Sequence, residues 1–332
     1  MQAILTCDYL VSPAELNSEE IIIDLYQILS DINNSPKPPL IEDDAYEKLE
    51  ASGRFPCDRV FSNIVIDGEV VVSANDISKV VNGILSRGTN LCDSGVYFVT
   101  ELQDFNCTPQ LSQMSKQRNE ELKKICLDAA IHNLRSDEKL CILHYWQSSN
   151  SHIEVDALLI DAEPFDEPLP LKLSESVLIF DDYKKYLSQV SKDYFITPCL
   201  NPYGYKQQIY SCALSTLKEK NESLHNICWS DYDLGESFTN SLNANQAGYK
   251  GEYFNVTLEC ISHIIAQAPK NQVSEFRESE RSSRQRVKGD YMAYRSHICK
   301  SGPALRLMLW KNIKGHIKLA NIGPKNELYI AD

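Results

Sequence analysis

Apolar side chains at Ile21, Ile22, Leu25, Ile28, Leu29 and Ile32 recur close to every 3.6 residues, so residues 14–32 predict an amphipathic helix. The proline-rich stretch 33–39 that follows predicts an exposed loop. Residues 64–72 read as two short strand arms about an Asp67-Gly68 turn, and 95–101 as a strand. Between them, Ile77, Val80, Val81 and Leu85 share one side of a helix over 76–85. Residues 115–134 are rich in helix formers and stack Leu122, Ile125, Cys126, Ala129 and Ala130 on adjoining turns, which predicts a long amphipathic helix.

Two apolar, partly β-branched runs, 140–146 and 152–160, flank a polar Gln-Ser-Ser-Asn-Ser segment and predict a central antiparallel hairpin. Helical patterns follow over 181–195, 206–225 and 252–265, with a turn at Asn201-Pro-Tyr-Gly204. Residues 273–288 read as a polar helix with a basic face, stopped at Gly289. Three apolar runs, 291–299, 303–310 and 315–321, then predict a short C-terminal antiparallel meander of three strands. The order of elements points to an α+β fold rather than alternating βαβ units. At 332 residues the chain accommodates either a single domain or two. The two-part reading has an acidic α+β body over 1–200 and a helical region over 201–332 that ends in the basic helix and the meander.

Hydrophobic residues make up 43% and charged residues 24%, which excludes collagen-like and low-complexity chains. No apolar run reaches the roughly 20 residues of a membrane span, and Asp8 interrupts the start too early for a secretion signal. A cytoplasmic protein without membrane insertion is the expectation. Eleven cysteines, an odd number without a Cys-x-x-Cys pair, favour reduced and buried thiols, with Cys126, Cys212 and Cys260 inside helices. Neither His132, Cys141 and His144 nor His225 and Cys228 have the spacing of a zinc site. Walker, dinucleotide-binding and Gly-x-Ser-x-Gly signatures are lacking, which disfavours NTP hydrolysis, Rossmann redox chemistry and an esterase-type nucleophile.

Charge changes the picture. The net charge is −13, yet residues 270–332 carry 13 Lys/Arg against 6 acids. That asymmetry is the footprint of a segment that meets a polyanion. A helix over 273–288 would align Arg277, Arg281, Arg284 and Lys288 at i, i+4, i+7 and i+11, with Arg286 beside them. Only Val273, Phe276 and Val287 are available to anchor it. A strand from Tyr291 would add Arg295 and His297 on the side of Tyr291 and Ala293, and Lys300 and Arg306 would extend the positive surface. These residues predict phosphate contacts by a nucleic-acid-binding component of a larger machinery. The competing account is a noncatalytic adaptor or structural subunit whose basic end docks on an acidic protein partner.

A second alternative rests on Glu154 and Asp156, which a strand would present on one face to a divalent metal. Their spacing resembles the Glu-x-Asp element of some metal-dependent nucleases, which would make them catalytic and Mg²⁺-binding residues. The expected acid-x-Lys continuation on a second strand is missing, because Lys172 follows Pro170-Leu171. No other cofactor is indicated.

Overall fold

The first strand of the chain lies inside a seven-stranded sheet. β1 (Gln2–Leu5) in the computed structural model, which describes residues 1–332 except 16–18, 36, 62–71, 111–114, 146–150, 192–193, 197–200, 280–283 and 300–303, is paired on both edges. The chain forms two compact units, Met1–Tyr186 and Leu187–Asp332. The first holds 32 acidic and 15 basic residues and the second 14 and 18, so their formal charges have opposite sign, −17 and +4.

In the first unit β1 leads into α1 (Cys7–Val11), α2 (Glu19–Asn34), β2 (Leu40–Ile41), α3 (Ala45–Ala51), α4 (Ala74–Arg87) and β3 (Thr89–Asn90). Next come β4 (Val99–Thr108), α5 (Lys116–Arg135), β5 (Leu140–Leu143), β6 (His152–Glu163), β7 (Leu171–Phe180) and α6 (Tyr183–Leu187). The strand order is β3-β2-β1-β5-β7-β6-β4; the first five run parallel, and β6 and β4 close the sheet antiparallel. α2 forms where the 3.6 period predicts it and buries Ile22, Leu25, Ile28, Leu29 and Ile32, while Ile21 is left exposed. A Ser73/Asp76 capping box starts α4, and Ser115 caps α5 through the Arg118 N–H. α5 packs its apolar side onto β5, β6 and β7, and Leu122, Ile125, Cys126, Ala129 and Ala130 enter one core with Ile142, Val155 and Val177.

The antiparallel hairpin of this sheet is β6–β7, not 140–146 with 152–160. β5 pairs parallel with β1 and β7, and the reason is visible in its burial. All four of its residues are buried, as expected of a parallel strand covered on both faces, whereas β6 alternates exposed and buried positions. The strand expected at 95–101 begins at Val99, because Cys92–Ser94 forms a 3₁₀ turn closed by Gly95 at φ +74°. The arms expected at 64–72 lie outside the described residues, apart from Val72, which is buried.

In the second unit α7 (Pro202–Glu219) opens on an Asn201 cap with proline in its first turn. It is followed by β8 (Tyr232–Leu234), α8 (Phe238–Ala244) and α9 (Phe254–Ile265), then β9 (Val273–Glu275), β10 (Val287–Lys288), β11 (Tyr291–His297), β12 (Arg306–Asn312) and β13 (Ile317–Gly323). β11, β12 and β13 form the expected C-terminal meander, and β8 joins β13 in parallel. Cys126, Cys212 and Cys260 are buried in α5, α7 and α9. The helix expected over 181–195 stops at Leu187; the Leu187 and Ser188 carbonyls instead accept the Ser211 and Ser215 hydroxyls of α7 at 2.7 and 2.6 Å.

The basic helix expected over 273–288 is not formed by any described residue of that stretch. β9 and β10 occupy successive stretches of the same β11 edge, and the chain between them folds back through an Arg277–Gln285 bridge. Three apolar residues are too few to bury a helical stripe, whereas strand pairing satisfies the main chain directly. Gly289 is a turn residue rather than a helix stop: at φ +60° it opens the two-residue connection that pairs Lys288 with Tyr291.

Asp128 in α5 sets one measurable property of this fold. It is buried and accepts from Lys124 Nζ at 2.6 Å and from the Phe98 N–H at 3.2 Å. Burial outweighs Lys124 and raises its carboxyl to about 6. Between pH 4 and 6 the folded state therefore keeps a proton that an unfolded carboxyl releases, and this group's contribution to stability falls as pH rises through that window. Asp128→Asn keeps an acceptor for Phe98 and removes the titration. Its stability relative to the native chain should rise by roughly 2–3 kcal/mol from pH 4 to pH 7 in urea unfolding. A pH-independent difference would refute the assignment.

Candidate functional site

The register of the second sheet decides which cations come together. In β11 and β12 the opposed pairs are Ala293 with Trp310, Arg295 with Met308, and His297 with Arg306. Opposed residues share a face, so Arg295, His297 and Arg306 lie at one end of the face whose middle is Ala293, Met308 and Trp310. Phe276, Ile330 and Ala331 cover that middle. The Phe276 N–H donates to the Ala293 carbonyl, and its carbonyl accepts the Arg286 N–H. Phe276 is thereby fixed in the core, 1% exposed.

Two guanidinium groups stack on its ring, with Arg286 at 4.6 Å and Arg295 at 5.5 Å from the centroid. Arg286 also donates to the carbonyls of Arg277 at 3.0 Å and Glu278 at 3.2 Å. Neither Arg286 nor Arg295 meets a carboxylate among the described residues. The other expected contacts are placed differently. Arg277 pairs with Glu275 at 3.4 Å, Arg284 with Glu278 at 3.6 Å and Lys288 with Asp332 at 2.7 Å. All three pairs are solvent-exposed, the class that contributes about 0–1 kcal/mol. Arg306 donates to the Lys325 carbonyl at 2.9 Å. Arg281 and Lys300 lie outside the described residues. Among the described residues Arg277, Arg284 and Lys288 form no helical stripe; Arg277 sits in the bridge with Gln285 and Lys288 in β10. Arg277 and Arg295 line a cleft of about 510 Å³, with Gln272, Ser274, Phe276 and Leu328.

Glu154 and Asp156 occupy the solvent side of β6, opposite Ser176 and Ser174 of β7. Asp156 accepts the Ser174 hydroxyl at 2.8 Å, and Glu154 lies 3.7 Å from His152 Nε2. Their cross-strand neighbours on β4 are Thr108 and Asn106. No group of three or more His, Cys, Asp or Glu among the described residues is placed to hold a metal ion. Among those residues no helix is long and apolar enough to cross a membrane.

Pattern reading missed a second site altogether. Strand order in the first unit reverses at β1, with β2 and β3 to one side and β5 and β7 to the other, and ligands of open parallel sheets bind beyond the carboxyl ends at such a switch point. There Asp8 and Tyr145, just past β1 and β5, help to line a cleft of about 940 Å³. Its wall is a charge network. Arg118 donates to Glu42 at 2.7 and 2.6 Å, to Asp8 at 2.7 Å and to Glu121 at 2.9 Å. Arg54 joins Asp8 at 2.7 Å to Glu15 at 3.0 Å.

Burial alone would raise the Asp8 and Glu42 carboxyls, but Arg118, helped at Asp8 by Arg54, holds both below their ordinary values. Burial, reinforced by Glu42, pushes the Cys7 thiol far up, so it is no nucleophile at neutral pH. His144 is fully buried and burial lowers it to about 4, against the pull of Asp8. Its Nδ1 lies 3.0 Å from the Thr6 hydroxyl, which itself donates to the Leu143 carbonyl, so Nδ1 carries the proton. At neutral pH this network offers ionised carboxylates, a neutral imidazole and cations already paired. The residues are scattered from position 6 to 145 and form no motif; the one sequence signal is polar residues directly following short apolar runs.

Comparison of the chain with protein-family models, with curated proteins and with solved structures finds no match.

Glu42 is 0% exposed and depends on Arg118. Arg118→Met should destabilise the first unit by about 3 kcal/mol, the lower end of the cost of breaking a buried ion pair, because Lys48 still faces Glu42 at 3.4 Å. Arg118→Lys should not restore stability, because a lysine cannot reproduce the bidentate fork. Urea unfolding with hydrogen exchange on α5 measures both; a loss below about 1 kcal/mol for the methionine variant would contradict the role given to this arginine.

Proposed function

We propose that the second unit binds the phosphate backbone of a nucleic acid through the cationic end of its sheet and the adjoining folded-back segment. One observation carries this reading: Arg286 and Arg295 are stacked on the same buried ring and meet no carboxylate among the described residues. The held Arg295 plane offers its in-plane donors to an incoming anion, and Arg286 offers those not given to the Arg277 and Glu278 carbonyls; phosphate matches such a fork. Arg277, Arg284 and Lys288 would add charge, since their exposed ion pairs are weak enough to exchange for phosphate contacts. His297 and Arg306 are further contacts in this reading, and Arg281 and Lys300 belong to the same cationic sequence. Binding of this kind is driven by counterion release and carries no sequence specificity by itself.

A second reading is favoured by a different observation, the position of the first unit's cleft at the strand-order reversal. In that reading the first unit holds a separate ligand, and the chain couples a ligand site to a polyanion surface. Docking of the basic end on an acidic protein partner, as a noncatalytic adaptor, is the principal competitor to both. It predicts copurification with a protein in high salt after nuclease treatment.

Arg277→Gln/Arg295→Gln removes two cations, one of them the Arg295 group stacked on Phe276, and leaves the main-chain bonds of Phe276 and Arg286 in place. At 0.1 M salt the double variant should bind labelled oligonucleotides at least tenfold more weakly. Its slope of log K against log salt should be shallower by about 2. Fluorescence anisotropy across a salt series reads both quantities. Unchanged affinity in a variant with native melting behaviour would end the proposal.

A further inference from the structure

The cleft of about 510 Å³ beside Arg295 combines cationic, polar and apolar lining residues. It lies within the roughly 300–1,000 Å³ range of small-ligand pockets. Arg295 lines it, its guanidinium resting on Phe276 and making no ion pair among the described residues. Ser274 and Gln272 add polar groups. Leu328, 52% exposed, adds an apolar side chain to the same lining. Glu275 also lines the cleft, but its carboxylate is engaged by Arg277 at 3.4 Å.

A site that combines an anion-binding fork with an apolar contact suits a molecule carrying both a phosphate and a flat, weakly polar surface. Nucleotides have that composition. In a duplex the bases are stacked and paired, so only phosphates and sugars reach a concave surface, and an apolar wall gains nothing. In a single strand a base can turn out of the stack and lie against an arginine plane or an apolar side chain. We infer that this cleft receives one unstacked nucleotide, its phosphate on Arg295 and its base against Leu328, and that the protein therefore prefers single-stranded nucleic acid to duplex. This inference rests on the proposed phosphate contacts and specifies their ligand.

The test uses the full chain, a labelled 12-nucleotide single strand, the same sequence as a duplex, and heparin, all at matched ionic strength. Single strands should bind at least tenfold more tightly than duplex. Leu328→Ala, at an exposed position, should weaken single-strand binding about tenfold and leave duplex and heparin affinities unchanged. Thermal melting checks that the variant is folded, and Leu328→Met, which keeps an apolar contact, should retain most of the affinity if melting is disturbed. Duplex binding as tight as single-strand binding overturns the inference, and so does a Leu328→Ala variant with native single-strand affinity. In either case heparin and duplex binding would persist and polyanion contact would stand. Failure of all three probes to bind overturns both. DNA and RNA versions of the single strand both support the inference if they bind and respond to Leu328→Ala.

Discussion

The edge of β11 is the constraint from which the candidate surface follows. One strand edge is shared by β9 and β10, and the segment joining them must leave and return within that length. The return brings Phe276 and Arg286 into main-chain contact with each other and with Ala293. Once Phe276 is committed to the core, Arg286 and Arg295 have one apolar ring in common, and two like charges are held near each other by packing. Burial of the phenylalanine, worth about 1.5–3 kcal/mol for a side chain of this type, holds the ring on which both guanidinium groups rest.

The first unit treats charge in the opposite way. There a single guanidinium is surrounded by Glu42, Asp8 and Glu121, and each of its neighbours is itself hydrogen-bonded. Such a network is worth little as net stability over an apolar core, but it is unforgiving of partial removal. It also fixes the loops after β1 and β2 relative to the start of α5. The cleft is therefore built on buried paired charges, whereas cations of the second unit pair with exposed carboxylates or rest on the Phe276 ring. These are different kinds of site, and a ligand that satisfies one would not satisfy the other.

Long elements were legible because their periodicity is a direct consequence of burial. α2, α4, α5 and α9 follow the apolar spacing, and the C-terminal meander follows its three apolar runs. What failed was pairing and context. Adjacency in sequence suggests pairing 140–146 with 152–160, but a fully apolar β5 belongs between parallel neighbours and an alternating β6 near a sheet margin. The arginine spacing in 273–288 fits a helix, but charge pairs at such spacing contribute only about 0.2–0.5 kcal/mol each; three apolar residues and a free strand edge outweigh them. Individual cations at 277, 284, 286, 288 and 295 were visible in the sequence. Their division into exposed ion pairs and ring-stacked guanidinium groups was not, because it depends on where Phe276 packs. The cleft of the first unit was invisible for a similar reason: Asp8, Glu42 and Arg118 meet only through the strand order.

This division bears on how the second unit would discriminate among anions. Exposed cations paired with Glu275, Glu278 and Asp332 respond to any polyanion in proportion to its charge density, and their contribution fades as salt rises. A guanidinium fixed on an aromatic ring loses less conformational freedom when it binds, because the ordering has already occurred in the fold. Its preference therefore depends on the geometry of the acceptor as well as on its charge. A surface with both kinds of cation would attract nucleic acid broadly through the first and select local strand conformation through the second. The affinity remaining at high salt should thus be carried disproportionately by Arg295 and its apolar neighbour, because these contacts depend least on long-range charge.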